Sequence, residues 1–259
     1  MDILIPTYGR ATWSQQHTAR ALIDDNITPH LVIQRREVDE YDQIGFLGVN
    51  RSILPAGIQT IGPTRDYIIY DMLGSDMVCM LDDDLHFAVR RDDDRTKFRQ
   101  PIHGDFYLMF DHIEAALKKH PMVGIGAREG GNRVTDEIVL NTRVMRVLAF
   151  RRSYLKKHCI TFSKVEVMED FHVALSILRS GADICVLNNW VSNQAGGSGA
   201  PGGCSAYRTP ALQTAAAHKL AALHHGFVRV VQKATKGAWG GGTRTDVVVS
   251  WKKARESAL

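Results

Sequence analysis

Apolar residues in the first third of the chain come in short runs separated by polar, turn-forming stretches. Ile3 to Ile5, followed by Pro6-Thr7-Tyr8-Gly9-Arg10, reads as a strand running into a loop. A helix continuing through His17 to Leu22 comes next, with Thr12 or Ser14 placed to cap it. Leu31-Val32-Ile33-Gln34 is a second strand, and strand–helix–strand at this spacing is a βαβ unit with a right-handed crossover. Residues 35–55 are polar and irregular, with room for one more strand near Ile53. Pro63 suits the first turn of a helix, where its missing N–H costs nothing, and Tyr67, Ile68, Met72 and Leu73 give that helix a buried stripe.

The four apolar residues Val78 to Leu81 then run straight into Asp82, Asp83 and Asp84. A short apolar run of this kind suits a strand buried on both faces, which puts the three aspartates at its C-terminal end. In open α/β sheets that is the edge where ligands bind. Three adjacent carboxylates repel one another, and a hard divalent cation such as Mg2+ or Mn2+ would offset the repulsion. A solvated acidic turn capping the next helix would also account for a bare triplet. Placed after a buried strand, the triplet reads as a metal–diphosphate site. Residues 1–85 thus form a nucleotide-binding α/β half.

Farther along, the charged residues 86–103 read as a loop or lid, and Phe106 to Lys119 has helical spacing. Met122 to Gly126 is a strand, ending in Ala127-Arg128-Glu129-Gly130-Gly131-Asn132-Arg133, where glycines beside arginines let backbone approach a ligand. Thr142 to Phe150 alternates as a strand with one wet face, and Arg151 to His158 is a short basic helix. Glu169 and Asp170 sit at the start of a helix closed by Ser180-Gly181; the helix dipole favours anions there, and capping alone would explain the pair. Ile184 to Leu187 is a late strand, Gln194 to Gly203 a glycine-rich flexible loop, and Pro210 to His224 an alanine-rich helix. Strands at Phe227 to Val231 and Val247 to Val249 follow.

Composition adds little except through charge. Hydrophobic residues are 44% and charged residues 23% of 259, an ordinary soluble balance, and no apolar run approaches a membrane span. Met1 to Pro6 has no basic leader and reads as a strand rather than a signal peptide. Cys79, Cys159, Cys185 and Cys204 are too far apart for a zinc framework or disulfide scaffold, so reduced cytoplasmic thiols are expected. From Ser205 onward nine basic residues face only Asp246 and Glu256, a net +7, which leaves −3 for the rest of a chain whose total is +4. A basic C-terminal third beside an acidic strand end suits a polyanion held near a metal, although surface solubility explains the charge equally well.

The order of motifs carries more than any one of them. Ile61-Gly62-Pro63-Thr64-Arg65-Asp66, the Asp82–Asp84 triplet, Gly124 to Arg133, Met168-Glu169-Asp170-Phe171, Gly202-Gly203-Cys204-Ser205 and Thr243-Arg244-Thr245-Asp246-Val247 together resemble the GT-A glycosyltransferases. Within them the set resembles the TET-associated glycosyltransferases of bacteriophages, related to the base J glucosyltransferase. The resemblance runs over nearly the whole chain. It implies a GT-A-like, Rossmann-type mixed α/β sheet flanked by helices, in a single domain over 1–259, with a nucleotide-sugar half at 1–85 and an acceptor half with a C-terminal lobe at 86–259. It also implies a UDP-sugar donor, Mn2+ or Mg2+, DNA containing 5-hydroxymethylcytosine as acceptor, no membrane partner, and a cytoplasmic place in an infected host.

Carried onto this sequence, the resemblance assigns Pro6, Thr7, Tyr8, Arg10, Arg65, Asp82, Asp83 and Arg244 to the nucleotide-sugar. Asp84, with Asp82 and His224, goes to the metal; His218 and His225 are further candidates, though a helix-end histidine is more often structural. Asp170, paired with Glu169, is the expected general base, with stereochemistry open. Arg128, Arg133, Gly203, Trp239 and Lys236 are assigned to the acceptor, and Lys233, Trp190 and Tyr207 are further candidates for phosphate or base contact. The rival readings are a transferase for a non-DNA acceptor, a non-catalytic nucleic-acid-binding module, and a metal-dependent nuclease or nucleotidyltransferase. Three carboxylates at a pocket edge repel phosphate and weigh against the pure binding module.

Overall fold

Strict alternation inside short apolar runs decides which faces of the chain are buried. The computed structural model describes residues 1–43, 48–129, 133–194, 202–235 and 242–258. In it β1 (Asp2–Pro6), β2 (His30–Ile33), β3 (Asn50–Ile53) and β4 (Met77–Leu81) form a parallel quartet in the order β3-β2-β1-β4, connected by α1 (His17–Asp24), α2 (Val38–Gln43) and α3 (Ile61–Tyr70). β4 shows the principle. Val78 and Met80 point into a core with Leu4, Val32, Ile68 and Ile69, while Cys79 and Leu81 point into a second core with Ile5, Leu31 and Ile33 on the other face. Both faces being dry, the strand needs no polar alternation.

The sheet continues beyond β4 through β9 (Val147–Arg151), β7 (Met122–Ala127), β10 (Ile184–Gln194), β5 (Leu85–Arg90) and β6 (Phe98–Arg99), with β8 (Ile138–Leu140) pairing β10. β9 lies antiparallel between β4 and β7, which makes the ten-stranded sheet mixed. α4 (Asp105–Leu117) packs on β7, β9 and β10; α5 (Arg152–Lys157) packs on α3; and α6 (Glu169–Arg179) packs on β10 and on α8 (Trp251–Glu256). β11 (Val228–Thr235) and β12 (Gly242–Val249) form a separate antiparallel pair covered by α7 (Pro210–Leu223), whose first turn is capped by the Thr209 hydroxyl. No helix of the described residues is long and apolar enough to cross a membrane.

Several sequence expectations are corrected here. Neither Thr12 nor Ser14 caps α1; their hydroxyls meet each other at 3.3 Å beside a short tight turn, and Gln16 precedes the helix. Leu73 lies past the end of α3 and is 95% exposed, so it leaves the stripe, while Ile68 and Ile69 are buried and Tyr67 and Met72 pack against the same core. Residues 86–103 are not one loop, because 86–90 belong to β5 and 98–99 to β6. Phe87, Ala88 and Val89 are buried in β5, which pairs β10, and Arg90 is buried because its Nε–H donates to the Asn188 carbonyl. The stretch 142–150 becomes a strand only from Val147. Arg146 adopts φ 67° before it, and β9 has no wet face because Leu148 and Phe150 enter one core and Val147 and Ala149 the other.

α6 and α7 are joined by a buried histidine pair. His172 Nδ1 and His224 Nε2 are 2.8 Å apart, and Arg179 Nη1 lies 3.2 Å from His224 Nδ1. Because the guanidinium can only donate, His224 donates through Nε2 to His172, and both rings are neutral. Burial pushes His172 down to about 4 and also pushes His224 down, to about 3. The unfolded chain therefore binds more protons below pH ~6.5, and this contribution to stability is lost as pH falls toward 4. The urea midpoint should show a loss on the order of 2 kcal/mol between pH 6 and pH 5. A His172→Gln/His224→Gln variant should lose clearly less, and an equal loss would rule the pair out as the source.

Candidate active site

The strand order brings the loops after β1 and β4 side by side, and α6 points its N-terminus at them. Between them lies a cavity of about 920 Å³. Thr7 and Arg10 are delivered by the β1 loop. The Thr7 hydroxyl donates to Asp83 Oδ2 at 2.5 Å, and the Arg10 guanidinium pairs with Asp83 and, at 3.0 Å, with Asp84. Gln16 Nε2 donates to Thr7 Oγ1 and to the Arg10 carbonyl, so the loop is held from behind. From α3, Arg65 reaches Asp82 at 3.0 Å with one nitrogen and Glu169 at 2.5 Å with the other. Two buried arginines thus separate the carboxylates Asp82, Asp83, Asp84 and Glu169. Asp170 sits next to Glu169 on the same wall, with Arg143 at 4.0 Å.

Electrostatics follow from that arrangement. Burial pushes the Asp82 carboxyl up to about 6, opposed by Arg65 and reinforced by Asp84 and Asp83. Its side chain is still 27% exposed, so solvent screens part of the effect. Burial likewise raises Asp83 to about 6, opposed by Arg10 and by the Thr7 hydroxyl, and Glu169 to about 7, opposed by Arg65. Asp82, Asp83, Asp84 and Glu169 share only the Arg10 and Arg65 guanidinium groups, so the cluster holds more acidic than basic groups.

The other side of the cavity is built from Gly203 to Arg208 and from β12. Gly202 has φ 83°, and a Cβ there would stand 2.7 Å from the Arg10 side chain and 2.8 Å from the Gly9 carbonyl. Only glycine lets this segment close on the β1 loop, where Gly203 N–H donates to the Tyr8 carbonyl at 2.7 Å. Gly203 thus sits against Arg10, on the side expected to hold the donor, although the sequence assigned it to the acceptor. Tyr207 accepts from the Ile61 N–H and donates to Cys204 Sγ, which locks this segment to α3. Lys233 and Arg244 reach the cavity from the hairpin, each 3.1 Å from Asp246.

Of the residues singled out from sequence, Pro6, Thr7, Tyr8, Arg10, Arg65, Asp82, Asp83, Asp84, Glu169, Asp170, Gly203, Lys233, Tyr207 and Arg244 all line this one cavity. The Arg36 guanidinium lies 4.7 Å from the Tyr8 ring centroid, so one face of that ring is covered. His224 does not line the cavity; it is buried against His172, which removes it from any metal the aspartates hold. His218 and His225 are exposed elsewhere. Arg128 and Arg133 are exposed and outside the lining, and Trp190 is buried with its ring edge to His112. Trp239, Lys236 and the segment Gly130–Asn132 lie outside the described residues.

Gln194, Arg143, Arg146 and Asp246 line the cavity and were missed as site residues. Gln194 Nε2 reaches Asp84 at 3.4 Å, while Arg146 pairs Glu129 with both nitrogens and returns its carbonyl to the Asp82 N–H. No sequence signal marks a glutamine at a strand end. The two arginines looked like the wet face of a strand.

No curated protein matches the chain. Among solved structures it is similar to a mannosyltransferase, PcManGT, from Pyrobaculum calidifontis in complex with GDP-Man and Mn2+, at 16% identity and TM-score 0.47, over 71% of this chain and 55% of that one. It is similar to GalNAc-T7 with UDP, GalNAc and Mn2+ at 10% identity and TM-score 0.47, over 85% and 48% of the two chains. A 4-diphosphocytidyl-2C-methyl-D-erythritol synthase from Anaerococcus prevotii DSM 20548 matches at 13% identity and TM-score 0.44, over 73% and 88%. The chain therefore spans about half the length of the first two. A sequence model of TET-associated glycosyltransferases matches residues 1–202. With most of its length matched, from the β1 loop through the Asp triplet to the start of the glycine-rich segment, the chain belongs to the TET-associated glycosyltransferase family.

Proposed function

We propose that the chain is a GT-A-type, metal-dependent glycosyltransferase that moves a sugar from a nucleotide-sugar, a UDP-sugar in the first instance, to the hydroxymethyl group of 5-hydroxymethylcytosine in DNA. The observation that carries this reading is the single cavity in which the β1 loop, the Asp82–Asp84 turn, Arg65 and the Glu169-Asp170 pair converge. The family supplies the class of reaction, and the named complexes with GDP-Man or UDP and Mn2+ are consistent with a nucleotide-sugar donor.

In this reading Thr7, Tyr8 and Arg10 hold the nucleotide, and Arg65 faces the departing nucleoside diphosphate. The acceptor oxygen attacks the anomeric carbon as the bond from that carbon to the diphosphate oxygen breaks. The hydroxymethyl proton passes to the Asp170 carboxylate, and the diphosphate leaves with the bonding pair. Glu169, tied to Arg65, keeps that arginine beside Asp82 rather than acting on the acceptor.

Among the described residues no group of three or more His, Cys, Asp or Glu side chains is disposed to hold a metal by itself. The donor set nevertheless fits Mg2+ or Mn2+: hard carboxylate oxygens, adjacent in sequence, with Asp82 pushed up to about 6 by burial and by the neighbouring Asp84 and Asp83. Asp84 and Asp82 would hold the ion, with further ligands from the diphosphate. Bound there, it supplies Lewis-acid neutralisation of the leaving charge.

The test is release of nucleoside diphosphate from a panel of nucleotide-sugars, with and without EDTA. Turnover should vanish on chelation and return with Mn2+. Asp84→Ala should cut it at least ~100-fold, since a charge-stabilising contact contributes several kcal/mol to the barrier. The fold should survive that change because Arg10 keeps Asp83 as a partner. Full activity of Asp84→Ala, or in EDTA, would remove the metal from the account.

A further inference from the structure

Beside Asp170 a stack of side chains leads out of the cavity. The Arg143 guanidinium lies 4.3 Å from the Phe171 ring centroid, and the Trp251 ring lies 5.6 Å from Phe171, tilted by 31°. Trp251 also forms the wall shared with a second, shallower groove of about 360 Å³, formed by residues 139–142 and 250–253. The cavity and the groove therefore meet at Trp251. Lys252 and Lys253 are exposed along the groove, and its lining contains no carboxylate among the described residues. The nearby Asp183 is already paired with Arg255 and Asn141, at 2.8 and 2.9 Å. Trp251 and the two lysines lie beyond the family match, which ends at residue 202.

An aromatic face flanked by cations is what a single nucleic-acid strand needs. Bases stack on the ring, and phosphates meet the lysines. A glycan would also use the ring but gains nothing from two unpaired-with-acid lysines, so charge favours the polyanion. We propose that this trough carries the acceptor strand: Trp251 stacks the base next to the one presented to Asp170, and Lys252 and Lys253 contact the strand's phosphates. The assignment rests on the DNA-acceptor reading above.

The test is fluorescence anisotropy of a labelled single-stranded oligodeoxynucleotide, carrying one 5-hydroxymethylcytosine, with the full chain over a range of KCl. Lys252→Ala/Lys253→Ala should lower the slope of log affinity against log salt by about 1.4, at ~0.7 per phosphate contact on a single strand. Trp251→Ala should leave that slope unchanged and weaken binding by about 5- to 150-fold, the range for losing one stacked base. Lys156→Ala/Lys157→Ala at the end of α5, near the N-terminal end of β4 and away from the triplet, is the matched control and should change neither. The exposed lysines keep the test decisive should the tryptophan variant fail to fold. If the wild type binds and the Lys252/Lys253 variant keeps its slope, the trough is wrong and the DNA reading stands. If the wild type does not bind the strand at all, the trough is overturned, and transfer to 5-hydroxymethylcytosine in duplex DNA decides the DNA reading separately.

Discussion

An Asp170→Asn variant is expected to lose sugar transfer by about 10²- to 10⁴-fold while keeping its affinity for the nucleotide-sugar. The acceptor hydroxyl must shed a proton as it attacks, and loss of a positioned base carries a penalty of that size. Asparagine keeps the shape and can still accept a hydrogen bond, so the donor pocket formed by Arg10, Arg65 and the aspartate triplet is unchanged. The ion pair of Asp170 is with Arg143 at 4.0 Å, while Arg65 is paired with Asp82 and Glu169. The measurement is single-turnover transfer alongside a separate titration of donor binding. A fall in donor affinity matching the fall in rate would make Asp170 a binding residue. Unchanged transfer would place the base elsewhere.

Arg65→Met should have the largest effect on stability. The guanidinium is buried and joins Asp82 to Glu169, so its removal leaves two carboxylates facing each other without a cation. Breaking a buried pair from one side typically costs about 3–5 kcal/mol. The carboxylates can relieve part of this by binding protons, because burial already raises both. Protonation of the folded state then stabilises the variant at low pH, and its deficit grows as pH rises through neutrality. Adding Glu169→Gln should recover part of the loss by removing one of the two charges. Urea unfolding of the three proteins at pH 5.5 and pH 8 reads all of this. A loss under about 1 kcal/mol at pH 8 would mean that the pairing is only superficial.

The donor half was legible because each of its features is local. The runs Ile3–Ile5, Leu31–Ile33 and Val78–Leu81 are dry on both faces, and a parallel quartet places the Pro6–Arg10 loop and the Asp82–Asp84 turn on one edge. The Glu169-Asp170 pair at a helix start was equally plain, although nothing local shows that this start points at Arg65. Long-range packing hid the rest. β9 is inserted between β4 and β7 with a core on each face, while Arg143 and Arg146, which suggested a wet face, lie before the strand begins and line the cavity. β5 is concealed by the charges around it, and Arg90 is buried with its guanidinium donating to the Asn188 carbonyl, at the irregular middle of β10, and to the Arg95 carbonyl. His224 looked like a metal ligand because its partner, His172, is 52 residues away in sequence. Gly203 was placed with the acceptor because its packing on Arg10 depends on the fold of the β1 loop.

The most direct test of the account is mass spectrometry of the nucleosides from 5-hydroxymethylcytosine DNA. The DNA is incubated with the protein, Mn2+ and a panel of nucleotide-sugars, with unmodified-cytosine DNA as control. The account predicts a gain of one sugar residue on 5-hydroxymethylcytosine alone, absent with Asp170→Asn. No gain on that base with any donor, while the same donors are hydrolysed, would contradict 5-hydroxymethylcytosine as the acceptor and leave a glycosyltransferase of hydroxymethyluracil or of a non-DNA substrate.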